Sequence, residues 1–468
     1  MIFNSYEYIF LFVPIILILY FLLGKYKNGR LSIFLLTIAS LFFYAYWKPK
    51  FLFIILSSIL INYCCAVLIF KYTNVQSLKK TVTIIGVLFN VLLLVYFKYT
   101  NFIFDIANSI FPLNLSNLKI ILPLGISFFT FTQIAFIIDC YKEKVQDANI
   151  LNYFLFVTFF PHLLAGPIIH HSEMMPQFSN ANNKKVKWFN IYGGLCLFSL
   201  GLFKKVVIAD YFVATVDKFF LQANTSTIHL WDAWTATLGY SVQIYYDFSG
   251  YTDMALGVAL LFNIILPINF NSPYKATSIQ DFWRRWHMTL SRFLRDYIYI
   301  PLGGNRINPL RTEFNIIAVF IIGGIWHGAG FTFIIWGILH ALGYAITKIW
   351  SIINNVTLQM KLNKIFCIVL TFMFVNLAWV FFRAANLQTA NSILKSMLNI
   401  NKLGTFNGTL IPIILILIMS MIAPNSSQIT EFVVKRGFGW SWGVVMLFWI
   451  SLIYIGINNN TPFIYFQF

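Results

Sequence analysis

The sequence predicts an all-α polytopic membrane protein. Of its 468 residues 59% are hydrophobic and only 10% charged, with a mean hydropathy of +0.75. A soluble chain of this size needs far more charged surface. Apolar runs close to the roughly 20 residues that cross a bilayer recur from end to end. They lie near 8–23, 31–47, 51–70, 82–97, 120–139, 151–170, 188–209, 235–263, 314–333, 335–350, 364–382, 408–423 and 440–456. Because some are short or broken by Pro or Gly, the expectation is about 11 to 13 membrane-embedded helices, a few of them re-entrant. No hydrophilic domain interrupts them, so residues 1–468 read as a single transmembrane domain.

Each segment has a local reason. The first run follows Glu7 and precedes basic "GKYKNGR", with no positive leader and no small-residue cleavage site. It reads as an anchor with its N-terminus outside. Pro123, Gly125, Pro161, Gly166 and Pro167 interrupt the runs at 120–139 and 151–170. Backbone groups freed inside a membrane are tolerated only where they line a cavity or are covered by protein, so a polar cavity is implied. Asp247 and Asp253 in "YYDFSGYTDMALG" are costly to bury. They read either as an ion or proton relay or as acceptors capping a helix broken at Gly250.

The polar stretch 271–313 is the expected cytoplasmic interfacial insert. Ser278 with Asp281 is a capping-box pattern, and Asp281–Arg285 and Arg292–Asp296 are i,i+4 ion pairs. One amphipathic helix is therefore expected, with Trp283, His287, Ser291 and Leu294 on one face and Arg284 and Arg295 on another. "PLGGNR" ends it. On such a helix His287 reads as solvated or beside lipid headgroups. His327, in "GGIWHGAG", falls near the middle of the 314–333 run. An ionisable residue there reads as functional or as a hydrogen bond to a neighbouring helix, and Gly324 with Gly328 forms a GxxxG packing pair. Lys435 and Arg436 precede the last run, so segment 440–468, with its aromatic tail, is expected to emerge outside and the number of crossings to be even.

The net charge of +18 does not point to nucleic acid, because the cations sit in short loops flanking apolar runs. The richest cluster, 275–311, faces anionic lipids or an anionic cosubstrate. The five cysteines (64, 65, 140, 196 and 367) have no CxxC spacing and indicate neither a metal site nor a disulfide framework.

"FNSPYKATSIQDFWRRWHMTLSRFLRDYIYIPLGGNR" followed by "GGIWHGAGFTFIIWGILHALG" resembles the membrane-bound O-acyltransferase family, more narrowly its bacterial alginate and peptidoglycan O-acetyltransferase branch. "MIFNSYEYIFLFVPIILILYF", "LPLGISFFTFTQIAFIIDCY", "FPHLLAGPI" and "YYDFSGYTDMALG" resemble the same branch in order. The resemblance implies a ring of tilted helices around a thin centre pierced by a tunnel. It implies His327 as catalytic histidine and His287 as a second signature position. It also implies Tyr465, in the closing "FIYFQF", as an intermediate acyl carrier, against the plain reading of an interfacial aromatic belt.

No P-loop or acidic metal cluster is present to activate acetate, so the acyl group is expected to arrive as a thioester such as acetyl-CoA, with no further cofactor. Arg284, Arg285 and Arg306 are candidate phosphate contacts, since guanidinium forks match phosphate oxygens. His327 is the expected general base, and His287 or a backbone dipole the group polarising the oxyanion. Gly324, Gly328, Trp326 and Asp247 are candidate tunnel residues, the glycines leaving room for the pantetheine arm. With no GxSxG motif in the chain, transfer to a polysaccharide calls for a separate periplasmic partner, which the resemblance implies to be of the SGNH type, with a bacterial inner membrane as the implied setting. Two alternatives stand beside this reading: D-alanyl transfer to a teichoic-acid-like polymer, and a polysaccharide or lipid transporter without covalent chemistry, which the intramembrane acids and broken helices would also serve.

Overall fold

In a computed structural model, residues 1–26, 29–145, 149–353, 363–457 and 463–464 are described, and among them every regular element is helical. Among the described residues six helices are long and apolar enough to cross a membrane: Lys50–Lys71, Gln76–Ile110, Trp188–Gln222, Pro309–His327, Phe331–Ile353 and Lys364–Arg383. Four shorter apolar helices, Tyr8–Leu23, Arg30–Ala45, Ile126–Tyr141 and Ser441–Ile457, and a pair bent by 65°, Leu410–Ile422 with Ser426–Arg436, account for further predicted runs. The chain is a multi-pass membrane protein.

Three features depart from the sequence expectation. The 82–97 and 188–209 runs are only parts of 35-residue helices. The Leu230–Leu261 helix passes unbroken through Gly250, so Asp247 and Asp253 cap no break there. The 314–333 run splits, because Gly328 is extended (φ −161°, ψ 153°) and ends the helix at His327.

The described residues form two compact units. The first comprises the described residues of 1–202, 251–268 and 430–464. Here the predicted interruption at Gly125 is present: its φ of +72° starts the Ile126–Tyr141 helix, and a Cβ would lie 2.8 Å from the Leu163 carbonyl oxygen. Some buried polar groups inside this unit pair with one another, as apolar surroundings favour. Gln133 donates to Ser58 Oγ (2.9 Å) and accepts from the Tyr153 hydroxyl (3.1 Å).

The second unit comprises Phe203–Gly250 and Asn269–Ile429. Its main feature is a hairpin of Pro309–His327 against Phe331–Ile353. Small residues set that crossing: a Cβ on Gly324 would stand 2.4 Å from the Phe333 carbonyl oxygen, and one on Gly337 would stand 2.5 Å from that of Phe320. The Tyr274 hydroxyl donates to the Ser241 carbonyl (2.6 Å), and Ser241 Oγ to Asn376 Oδ1 (2.8 Å). Those bonds tie the 273–275 turn and the Lys364–Arg383 helix to Leu230–Leu261.

Candidate functional site

The site lies within the second unit. Ser278 caps the Ile279–Trp283 helix as predicted, accepting from the Asp281 backbone N–H at 3.1 Å, and Arg285 pairs with Asp281 at 2.9 Å. The single helix expected from there is not formed. After Trp283 the chain turns, His287 takes φ +44°, and a second helix runs Met288–Leu294. Gly303 (φ +105°) and Gly304 (φ +57°) close the motif, as "PLGG" suggested.

The turn is built against segment 269–271. Asn271 N–H donates to the Arg285 carbonyl (2.9 Å), and Met288 N–H to the Asn269 carbonyl (3.0 Å). Asn269 Oδ1 accepts from Thr289 N–H (3.3 Å) and Thr289 Oγ1 (2.9 Å). Asn269 thus caps the second helix from outside it, a role the left-handed His287 cannot fill. Two expectations are corrected. Trp283, His287, Ser291 and Leu294 share no continuous helical face, and His287 is not solvated but 0% exposed.

Inside the fold, His287 Nδ1 lies 3.1 Å from Asn269 Oδ1, while its Nε2 has no hydrogen-bond partner among the described residues. Burial holds its imidazole far below the ordinary histidine range, at about 3. The Phe248 ring stands edge-on to it at 4.8 Å.

His327 is the last residue of its helix and buried. Its ring lies 6.3 Å from that of His287, and Trp326, Trp336 and Phe382 wall it at 4.9, 5.2 and 5.1 Å. Trp326, a sequence candidate, also reaches His287 at 6.1 Å. Behind Trp336 stands a third buried histidine, His340, whose Nδ1 accepts from the Trp283 indole N–H (3.2 Å).

Other candidates fall elsewhere. Arg284 and Arg306 are exposed, and Arg285 is committed to Asp281 and the Asn271 carbonyl. The glycines do not leave open room. The Phe333 ring lies 2.1 Å from where a Gly328 Cβ would sit, and Gly324 is closed by the hairpin crossing. Asp247 turns to Lys205 (2.5 Å), which also binds Asp210 (2.7 Å), all three buried. Tyr465 lies outside the described residues. Sequence reasoning missed Asn269, His340 and Lys205. Only the cost of burying a polar group marked them, and that cost is invisible until burial is known.

The model of the membrane-bound O-acyltransferase family matches residues 41–421. The chain is 42% identical to a peptidoglycan O-acetyltransferase of Helicobacter pylori, covering 100% of this chain and 98% of that one. It is 39% identical to a probable alginate O-acetylase AlgI of Pseudomonas aeruginosa, over 85% of this chain and 75% of that one. Identity to a teichoic acid D-alanyltransferase of Bacillus subtilis is 30%, over 54% of this chain and 66% of that one.

Proposed function

The chain belongs to the membrane-bound O-acyltransferase family, and from that premise we propose that it moves acetyl groups from cytoplasmic acetyl-CoA, across a bacterial inner membrane, towards a peptidoglycan-type glycan. The observation that carries this reading is the pair of buried histidines, His287 and His327, held 6.3 Å apart in an aromatic enclosure. Peptidoglycan is preferred to alginate because the relative with that printed substrate is 42% identical over essentially the whole of both chains, against 35% for a probable alginate O-acetylase AlgI of Pseudomonas putida that aligns as fully.

In the reaction His327 takes the proton of an attacking hydroxyl as the oxygen adds to the thioester carbonyl carbon. The C–S bond then breaks, and the leaving thiolate recovers the proton from the imidazolium. Two features support His327 in this role. It ends a helix, where the negative end of the peptide dipoles favours a cation. Trp326, Trp336 and Phe382 exclude water that would otherwise hydrolyse the thioester. Arg284 and Arg306, exposed near the His287 turn in sequence, are the proposed contacts for the CoA phosphates. Tyr465 is the proposed carrier on the outer face, with both termini there, and a separate periplasmic transferase of the SGNH type completes delivery.

The test is transfer by purified full-length protein in lipid nanodiscs, followed as CoA thiol release. His327→Ala should abolish it, and retained turnover would overturn the reading. In cells, unchanged glycan acetylation with Tyr465→Phe would remove the relay step. Glycan export that survives His327→Ala without acetylation would favour the transporter.

A further inference from the structure

We infer that Asn269 is a positioning residue that fixes the tautomer of His287, so that His287 Nε2 presents a lone pair to a hydrogen-bond donor of the bound substrate, distinct from the reacting hydroxyl whose proton His327 takes. It rests on the acyl-transfer reading for the identity of that donor.

The chain of assignment starts at the backbone. Thr289 N–H can only donate, so the Asn269 side-chain atom 3.3 Å from it is the oxygen, and Thr289 Oγ1 at 2.9 Å agrees. That oxygen can only accept. His287 Nδ1, 3.1 Å from it, therefore carries the ring proton. A neutral imidazole has one N–H, and burial keeps this ring neutral. Nε2 is then an acceptor, fully buried and without a hydrogen-bond partner among the described residues.

A buried acceptor left unpaired is costly. So is φ +44° at a residue that is not glycine. Both costs fall on His287, and the Asn269 carbonyl, accepting from Met288 N–H, helps to hold the turn that imposes the second. Strain and an unmet polar atom at one residue, beside His327, mark a place where a ligand completes the bonding. The chemistry also excludes a role. With its only proton facing Asn269, His287 cannot donate to an oxyanion. The Trp336 indole N–H can: it is buried, has no hydrogen-bond partner among the described residues, and its ring lies 5.2 Å from that of His327.

The experiment uses full-length protein in nanodiscs with ¹⁵N-labelled histidine, the His287 signals being assigned by their loss in His287→Asn. Wild type should show Nδ1 protonated and Nε2 bare. Asn269→Ala should lose that pattern and lower kcat at least about tenfold with an unchanged KM for acetyl-CoA. Asn269→Asp should keep the tautomer and most of the activity, while its carboxylate stabilises the His287 cation and moves the acid limb of the pH–rate profile upward. An Nε2-protonated ring in wild type would overturn the inference. So would Asn269→Asp with an unmoved pH profile, because Asn269 would then be only a helix cap. The tautomer is read without turnover, so failure of the acyl-transfer reading itself would show separately, as activity surviving His327→Ala.

Discussion

The imidazoles of His287 and His327 stand 6.3 Å apart, one in a left-handed turn between two short helices and the other at the end of a membrane-length helix. The turn and the helix end put both rings at places where the backbone ladder is interrupted. Each ring is buried there without being one rung in a continuous helical face.

Replacing His327 with Gln should cut kcat for CoA release by about 10²- to 10⁴-fold, the usual worth of a general base. Initial rates at saturating acetyl-CoA read this directly, and a fall in kcat with little change in KM is the expected split.

Gly324→Ala should destabilise the protein by about 1–3 kcal/mol, because its Cβ would overlap the Phe333 carbonyl at 2.4 Å and backbone cannot step aside cheaply. Gly330→Ala, whose nearest contacts are 3.7 and 3.8 Å, should be neutral. Thermal unfolding of the two variants in the same detergent separates a packing role from open tunnel space.

Lys205→Met should be far more damaging than its conservative volume suggests, by about 3–5 kcal/mol, since it removes the buried cation that both the Asp210 and the Asp247 carboxylates bind. Adding Asp210→Asn and Asp247→Asn should recover much of that loss. No recovery in the triple variant would mean that the three groups do not act as one charge cluster.

The pH dependence of stability follows from His287. Folding lowers its pKa from the ordinary 6.5 to about 3, so between those values the unfolded chain binds the extra proton. Stability should therefore fall as pH drops from 6.5 towards 3 and be insensitive to this residue above 6.5. His287→Asn should show a shallower acid decline in thermal unfolding, and an identical slope would refute the assignment.

Loss of the Ser278 cap should cost about 1 kcal/mol in Ser278→Ala, with Ser278→Asp close to wild type, because only the acceptor for Asp281 N–H matters. Denaturation of both variants checks it.

The membrane-length helices were legible in the sequence because the signal is local: an apolar run of sufficient length needs no partner to declare itself. The Ser278 cap, the Asp281–Arg285 pair and the stops at Gly125 and Gly303–Gly304 were legible for the same reason, each spanning a few residues. His327 and Trp326 were singled out as candidates through their apolar setting and their motif. The break at His287 was not, because helical periodicity runs straight through "FWRRWHMTLSRF". What stops the helix there is Asn269, a residue of another segment that takes the N–H groups of Met288 and Thr289.

By itself, then, the sequence determined the class of protein, the placing of its apolar helices and the two histidine motifs, all properties of contiguous residues. The tertiary structure decided which glycines are filled by Phe333 and Phe320, that Lys205 gathers two carboxylates, and that His287 is buried with one nitrogen committed and one open. Those depend on contacts between segments distant in the chain, where burial and hydrogen-bond partnership, not local propensity, set the energy.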